Sequence, residues 1–407
     1  SDRPVVLGRV DGHAVVANSA ALRLAGITAA TKDMAGGKIE RDSRGQPTGL
    51  LVDNAMPLVQ GKVQPPDMGQ LYEALITAQD MLLSYGITSV ADMGTSADDW
   101  AAMWSLNYNR ALRIRVLSYA AGLESLAAIK NKYGPATNFD NLRLVGVKLY
   151  DDGALGSRGA WLKQPYADKP DTRGLPFNSD DQLKAATEQV AKAGFQLAIH
   201  AIGDAANAQV ISAYEDLARQ YGTDRRWRIE HFQIADPKDI GRLAPAGIIA
   251  SMQPVHQTSD RTMAEARLGP NRLDGAYAWQ SVLKSGARIA FGSDFPVESP
   301  NPFPGLAAAI SRQDMNGEPP GGWIPAERVS FAQALSGFTR DAAYAGFAEQ
   351  RIGSLEPGKW ADFILVDRDV STVDAQALAR TQVLETWVAG KKVWSRPSAG
   401  GRVERGK

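Results

Sequence analysis

"LRLVGVKLYDDGALGS", residues 142–157, sets a lysine where a buried strand should end. Leu142, Leu144, Val145 and Val147 form an apolar, β-favouring run, and Lys148 closes it just before an acidic, turn-rich stretch with Asp151 and Asp152. An ammonium there is costly to bury unless it is paired or chemically altered. Two readings follow. Lys148 pairs with Asp151 or Asp152, or it has a chemical task at a strand end.

Runs of the same kind recur along the chain. They are "ITSVADM" (87–93), "LRIRVLSYA" (112–120), "LRLVGVKLY" (142–150), "FQLAIHAIG" (195–203), "RWRIEHF" (226–232), "GIIASMQ" (247–253) and "RIAFGSDFP" (288–296). Helical patterns lie between them. One follows Ser179, carries Asp180 and Asp181 in its first turn and stops at Gly194. This alternation predicts parallel βαβ units and an α/β fold, a (β/α)8 barrel. Only seven strands are found where a closed barrel needs eight, so the first is missing from this tally.

Residues 1–86 read as an insertion that precedes the second barrel strand and lines the substrate site. Within it, residues 36–53 suggest a hairpin turning at Ser43–Pro47. Residues 87–350 hold barrel strands two to eight. Residues 351–396 read as a small β-sandwich portion, and 397–407 as a tail.

The bulk numbers narrow the function. Among 407 residues, 45 Lys+Arg balance 45 Asp+Glu, so the basic footprint of a nucleic-acid binder is absent. No apolar run reaches the roughly 18 residues of a membrane span, and "SDRPVVLGRV" lacks the order of a signal peptide. With no cysteine, thiolate nucleophiles, disulfides and Cys metal sites are excluded. That composition suits cytoplasm and periplasm equally. Histidine chemistry must come from His13, His200, His231 and His256.

Four strand ends carry chemistry: "VGVK" Lys148, "LAIH" His200, "RIEH" His231 and "AFGSD" Asp294. One His or Asp at a strand end is ordinarily a hydrogen-bonded structural residue. Four on separate strands, at the end where parallel barrels keep their catalytic groups, point to a metal centre. Imidazole and carboxylate are ligands for ions such as Zn²⁺. A free ammonium is not, but burial lowers an amine's pKa, and a neutral lysine can react with CO₂ to give an anionic carbamate with two oxygens.

The stretches "VDGHAVVANSAAL" (10–22), "GVKLYDDGALGSRGAWL" (146–162), "IHAIGDAAN" (199–207), "RIEHF" (228–232), "SMQPVHQTSD" (251–260), "GSDFPVESPNPF" (292–303) and "RIGSLEPGKWADFILVDRD" (351–369) resemble the amidohydrolase superfamily, family 3. These are the YtcJ-like, N-substituted formamide deformylase-like metal-dependent hydrolases, and the motifs match in order nearly end to end. The resemblance implies a TIM barrel of the metallo-dependent hydrolase type. It makes Lys148 a carbamylated metal ligand, His200 and His231 ligands after the fifth and sixth strands, and Asp294 a ligand and general base. It places His13, His256 and Arg158 at the substrate, with His256 also donating to the reacting carbonyl. Asp92, at another strand end, is expected to be structural. The implied reaction is hydrolysis of a C–N bond in a small-molecule amide or formamide, and Lys148 argues against a deaminase.

One departure stands out. The family's first strand ends in His-x-His, and this sequence contains no such pair. The expected cofactor is therefore zinc, two ions if that segment is supplied and one or none otherwise. The residues could be part of a longer protein, be completed by a second chain or a homo-oligomer, or form an impaired barrel that acts as a binding protein.

Overall fold

The computed structural model describes residues 2–134 and 137–397. The expected tail lies, but for its first residue, outside the described residues. The strands are β1 (Val6–Gly8), β2 (Ala14–Ala17), β3 (Gly37–Arg41), β4 (Pro47–Asp53), β5 (Ser89–Thr95), β6 (Arg115–Ala121), β7 (Leu142–Tyr150), β8 (Gln196–Ala201), β9 (Arg228–His231), β10 (Ile249–Met252), β11 (Arg288–Phe291), β12 (Phe363–Val366), β13 (Val383–Val388) and β14 (Lys391–Ser395).

Strands β5 to β11 are the seven predicted from sequence. They form one parallel sheet in strict chain order, with β5 and β11 at its two edges. This is the curled sheet of a barrel with seven strands among the described residues. Each crossover is helical, as parallel neighbours require. The helix Asp180–Lys192 begins where predicted: the Ser179 side chain accepts from the Gln182 amide, and the Gln182 side chain returns a bond to the cap. Ser96 and Asp99 do the same for Ala97–Tyr108. The core lies between sheet and helices, where Trp100, Trp227, Trp279 and Tyr214 are wholly buried.

The register decides which side chains share the lumen. Gly146 pairs with Tyr119 and Gln196, Lys148 with Ala121 and Ala198, and Tyr150 with His200. Ala198 pairs with Arg228 and His200 with Glu230, which pairs with Ser251. Strand period two puts this whole set on one face. Its lower layer is a buried polar network: Arg228 Nε donates to Glu230 at 2.7 Å, Arg228 Nη2 to Ser251 at 2.8 Å, and the Tyr119 hydroxyl to Gln196 at 2.5 Å. Lys148 and His200 share this face with the network.

The antiparallel sheet β1-β2-β4-β3 and its own small core (Val15, Ile39, Leu51, Val59) form the opening module. The hairpin β3–β4 turns where expected, with Gly45 at φ +77°. The helix Met68–Ser84, also within residues 1–86, belongs with the rest of the molecule: it packs on Ala97–Tyr108 and on the terminal sheet β12-β13-β14, where Thr386 donates to the Leu83 carbonyl at 2.7 Å. Among the described residues no helix is long and apolar enough to cross a membrane.

Candidate metal and active site

All four histidines of the chain converge at the C-terminal end of the parallel sheet. Their rings form an arc: His13 to His200 at 4.9 Å between centroids, His200 to His231 at 4.6 Å, and His231 to His256 at 6.0 Å. His200 ends β8, His231 ends β9, and His256 lies in the first turn of the helix Pro254–Leu268 that follows β10. His13 arrives from the opening module, just before β2.

Asp294 follows β11 and completes the cluster. Ligand atoms of His231, His256 and Asp294 all lie within 4.8 Å of one another. His231 and Asp294 adopt left-handed backbone conformations, φ +78° and +58°. Such strain, of order 1–3 kcal/mol per residue, persists where surrounding structure fixes it and concentrates at functional sites. Here one residue closes β9 and the other follows β11, both at the C-terminal end of the sheet.

Lys148 is buried, and its Nζ sits 4.4 Å above the Tyr150 ring. Among the described residues it makes no ion pair with Asp151 or Asp152, so the alternative of a Lys–Asp pair is not formed. Asp151 instead accepts from Asn178, and Asp152 accepts the backbone amides of Trp161, Ile202 and Gly203. Burial pushes the Lys148 amine down to about 8, against the opposing pull of Glu230 and Asp294. Burial thus makes the neutral amine more accessible than in a solvent-exposed lysine.

Burial likewise holds the imidazoles neutral. His200 falls well below the usual histidine range, His231 to about 3 and His256 to about 4. Neutral imidazole is the form that binds a metal. Burial raises the Asp294 carboxyl, while His256 and Lys148 pull it back. The hydrogen bonds show which nitrogens are free. His231 Nδ1 lies 2.9 Å from Gln253 Oε1, and Gln253 is oriented by donating to the Ser251 carbonyl. His231 thus carries its proton on Nδ1 and keeps a lone pair on Nε2. His200 turns Nε2 toward the Gly153 carbonyl and the Asp152 carboxylate, each at 3.5 Å, which leaves its lone pair on Nδ1. Two neutral imidazoles with outward lone pairs, beside a carboxylate that forms no close ion pair among the described residues, fit a divalent cation.

Not every expected residue joins the cluster. The Arg158 guanidinium is held by Asp168 at 2.8 and 3.2 Å, and Arg267 shares that carboxylate. Asp92 accepts from Thr95, whose hydroxyl also receives Ser118, in the structural role expected. Conversely, sequence reading passed over Asp53, Tyr150, Gln233 and Gln253. Gln253 directly follows barrel strand β10 and was legible by position, but a search for ionisable groups misses an amide. Asp53 Oδ1 lies 2.6 Å from His13 Nδ1.

Known proteins share this fold and sequence. The amidohydrolase family profile matches residues 1–394. The chain is 37% identical to the protein LONG AFTER FAR-RED 3 of Arabidopsis thaliana, covering 96% of this chain and 69% of that one. It is 29% identical to N-substituted formamide deformylase of Arthrobacter pascens, covering 96% and 73%. An uncharacterised metal-dependent hydrolase from Pyrococcus horikoshii superposes with a TM-score of 0.76 at 28% identity, over 92% of this chain and 73% of that one. By fold, strand-end chemistry and sequence, the chain belongs to the amidohydrolase family, in the branch known as family 3.

Proposed function

We propose that this hydrolase cleaves the C–N bond of a small-molecule amide of the formamide type, with zinc as its metal and Asp294 as general base. The observation that carries the reading is the convergence of His200, His231, Lys148 and Asp294 at one end of the sheet. The similarity to a formamide deformylase supports the substrate class. His231 Nε2, Asp294, His200 and, once carbamylated, Lys148 would hold the ion, which when bound lowers the pKa of a water and polarises a carbonyl.

The chain's own groups do the remaining work. Asp294 accepts the proton of the attacking water and delivers it to the leaving nitrogen. His256 donates to the carbonyl oxygen as negative charge develops there, an effect worth about 3 kcal/mol. Glu230, beneath Lys148, keeps the lumen's charge balanced through Arg228. Tyr150, 46% exposed, with Lys148 Nζ over its ring and the His200 ring 5.3 Å away, offers an apolar wall for the amine substituent.

The test is hydrolysis of N-benzylformamide, followed as amine release, by protein purified without chelator and assayed for metal. Turnover that Asp294→Asn abolishes without unfolding the protein supports the reading, and near-normal kcat in that variant refutes it. A second reading is a binding protein, or a barrel completed by another chain, and it is favoured by the absence of any His-x-His pair. Stoichiometric ligand or partner binding without turnover, in protein holding one ion or none, would select it.

A further inference from the structure

The opening module is built as a body apart. Its core of Val15, Ile39, Leu51 and Val59 is separate from the main core, and the side chains that flank it, such as Val6, Leu22, Met56 and Leu58, are also its own. The sheet β1-β2-β4-β3 shares no strand with the barrel. Among the described residues, every hydrogen bond and ion pair made by residues 5–63 finds its partner within residues 3–63.

Yet this body lies on the mouth of the barrel. His13 stands against His200, with ring centroids 4.9 Å apart. The Asp53 carboxylate rests on Gly153 and Gly159, and Gly36 lies against the Phe177 ring. The turn between β1 and β2 brings Asp11 near enough to act electrostatically on His256 and Asp260. An interface with neither a shared core nor a bridging hydrogen bond is one across which relative motion is the default.

The connection on its C-terminal side is equally loose. Residues 60–70, "QGKVQPPDMGQ", are exposed without a break. Their hydrogen bonds close locally, at the end of the helix Pro57–Gln60 and in the cap that Asp67 and Gln70 form for Met68–Ser84. Pro65 and Pro66 lack an amide to tie the stretch down further.

We infer that residues 5–59 are a lid, which swings as one body about residues 61–66, opens to admit substrate and closes to set His13 beside His200. Opening breaks no hydrogen bond among the described residues and uncovers neither apolar core. Closure shields the strand-end groups from water. The lid rests on the hydrolase reading above only for what it admits; the motion itself is independent of that reading.

The test uses the whole chain, which has no cysteine, so two introduced cysteines carry the only spin labels. Arg44→Cys in the β3–β4 turn and Arg219→Cys on the helix Asp204–Tyr221 report across the interface, and both native side chains are exposed. Leu24→Cys with Arg44→Cys reports within the lid. Electron–electron resonance is expected to give two distances for the first pair and one for the second. Phe177→Ala removes the contact with Gly36 and should raise the ratio of open to closed about tenfold. Pro65→Gly with Pro66→Gly, in the exposed stretch, loosens the hinge without touching either core and should shift it the same way. A single distance across the interface, unchanged in both variants, overturns the proposal, and so do two distances within the lid. If N-benzylformamide is a substrate, Phe177→Ala should lower kcat/KM about tenfold, and an unchanged kcat/KM in a protein whose distances have shifted overturns the lid. If it is not a substrate, the hydrolase reading fails while the distances still decide this proposal.

Discussion

Asp53 and His13 are forty residues apart in the chain, and their side chains meet at 2.6 Å, Oδ1 to Nδ1. Asp53 ends β4 in a left-handed conformation, φ +48°, with its carboxylate buried. This contact carries the opening module into the active site, since it stands His13 against His200. The proton between the two atoms belongs to Nδ1, so the Nε2 of His13 faces away from the carboxylate. Replacing Asp53 with Ala removes the hydrogen bond and puts a residue with no polar side chain in a left-handed position. The expected cost is about 2 kcal/mol in urea denaturation, and the His13 ring should lose its fixed tautomer. Unchanged stability would mean that the module docks without this contact.

The loop that follows Lys148 wraps the same carboxylate. A Cβ on either Gly153 or Gly159 would overlap the Asp53 carboxylate, and that at Gly203 would overlap the Trp161 backbone. Gly153→Ala should therefore displace Asp53, costing about 1–3 kcal/mol by overpacking. Gly45→Ala meets no neighbouring atom and strains only a surface turn. A smaller loss in Gly45→Ala than in Gly153→Ala, measured in the same denaturant series, checks that the loop is packed on Asp53.

Much of this site could be read from sequence, and what could not shares one physical cause. Lys148, His200, His231 and Asp294 are legible because each ends an apolar run, and in a parallel sheet the end of a run is a place. The seven strands are legible for the same reason. Asp53, Gln233 and Tyr277 act through partners 20 to 45 residues away, and nothing in their local pattern announces a buried contact. Arg228 and Glu230 lie two residues apart within a strand, and only the curled sheet shows them as a buried ion pair. Arg158 shows the converse: a cation in a motif loop reads as a substrate contact, while its partner Asp168, ten residues on, has already claimed it.

A bound ion should be visible as stability. A ligand at one hundred times its Kd adds about 2.7 kcal/mol to the folded state. Zinc added to chelator-treated protein should therefore raise Tm by several degrees, and His231→Ala should abolish the rise. His256→Ala should retain it, because His256 serves the carbonyl oxygen rather than the ion. Calorimetry of the three proteins, with and without zinc, checks the assignment. Loss of the rise in His256→Ala would make His256 a ligand.

Asp260, bonded to the Tyr277 hydroxyl, supplies a pH dependence of stability. Burial lifts its carboxyl to about 6, against the Tyr277 hydroxyl bond that lowers it, while an unfolded aspartate titrates near 3.9. The folded protein therefore holds this proton more tightly than the unfolded chain. Between those two values the native state binds more protons, so stability falls as pH rises. The contribution is fully present below about 4 and is lost as pH passes about 6, where an ionised carboxylate must stay buried. The difference in pKa corresponds to about 2–3 kcal/mol. Asp260→Asn keeps an acceptor for Tyr277 and cannot ionise. Its stability relative to the native protein should rise by that amount between pH 4 and pH 8, with most of the change between pH 4 and 6. Urea denaturation of both proteins at pH 4, 5, 6, 7 and 8 measures it, and a constant difference across the series would show that folding leaves the Asp260 pKa unshifted.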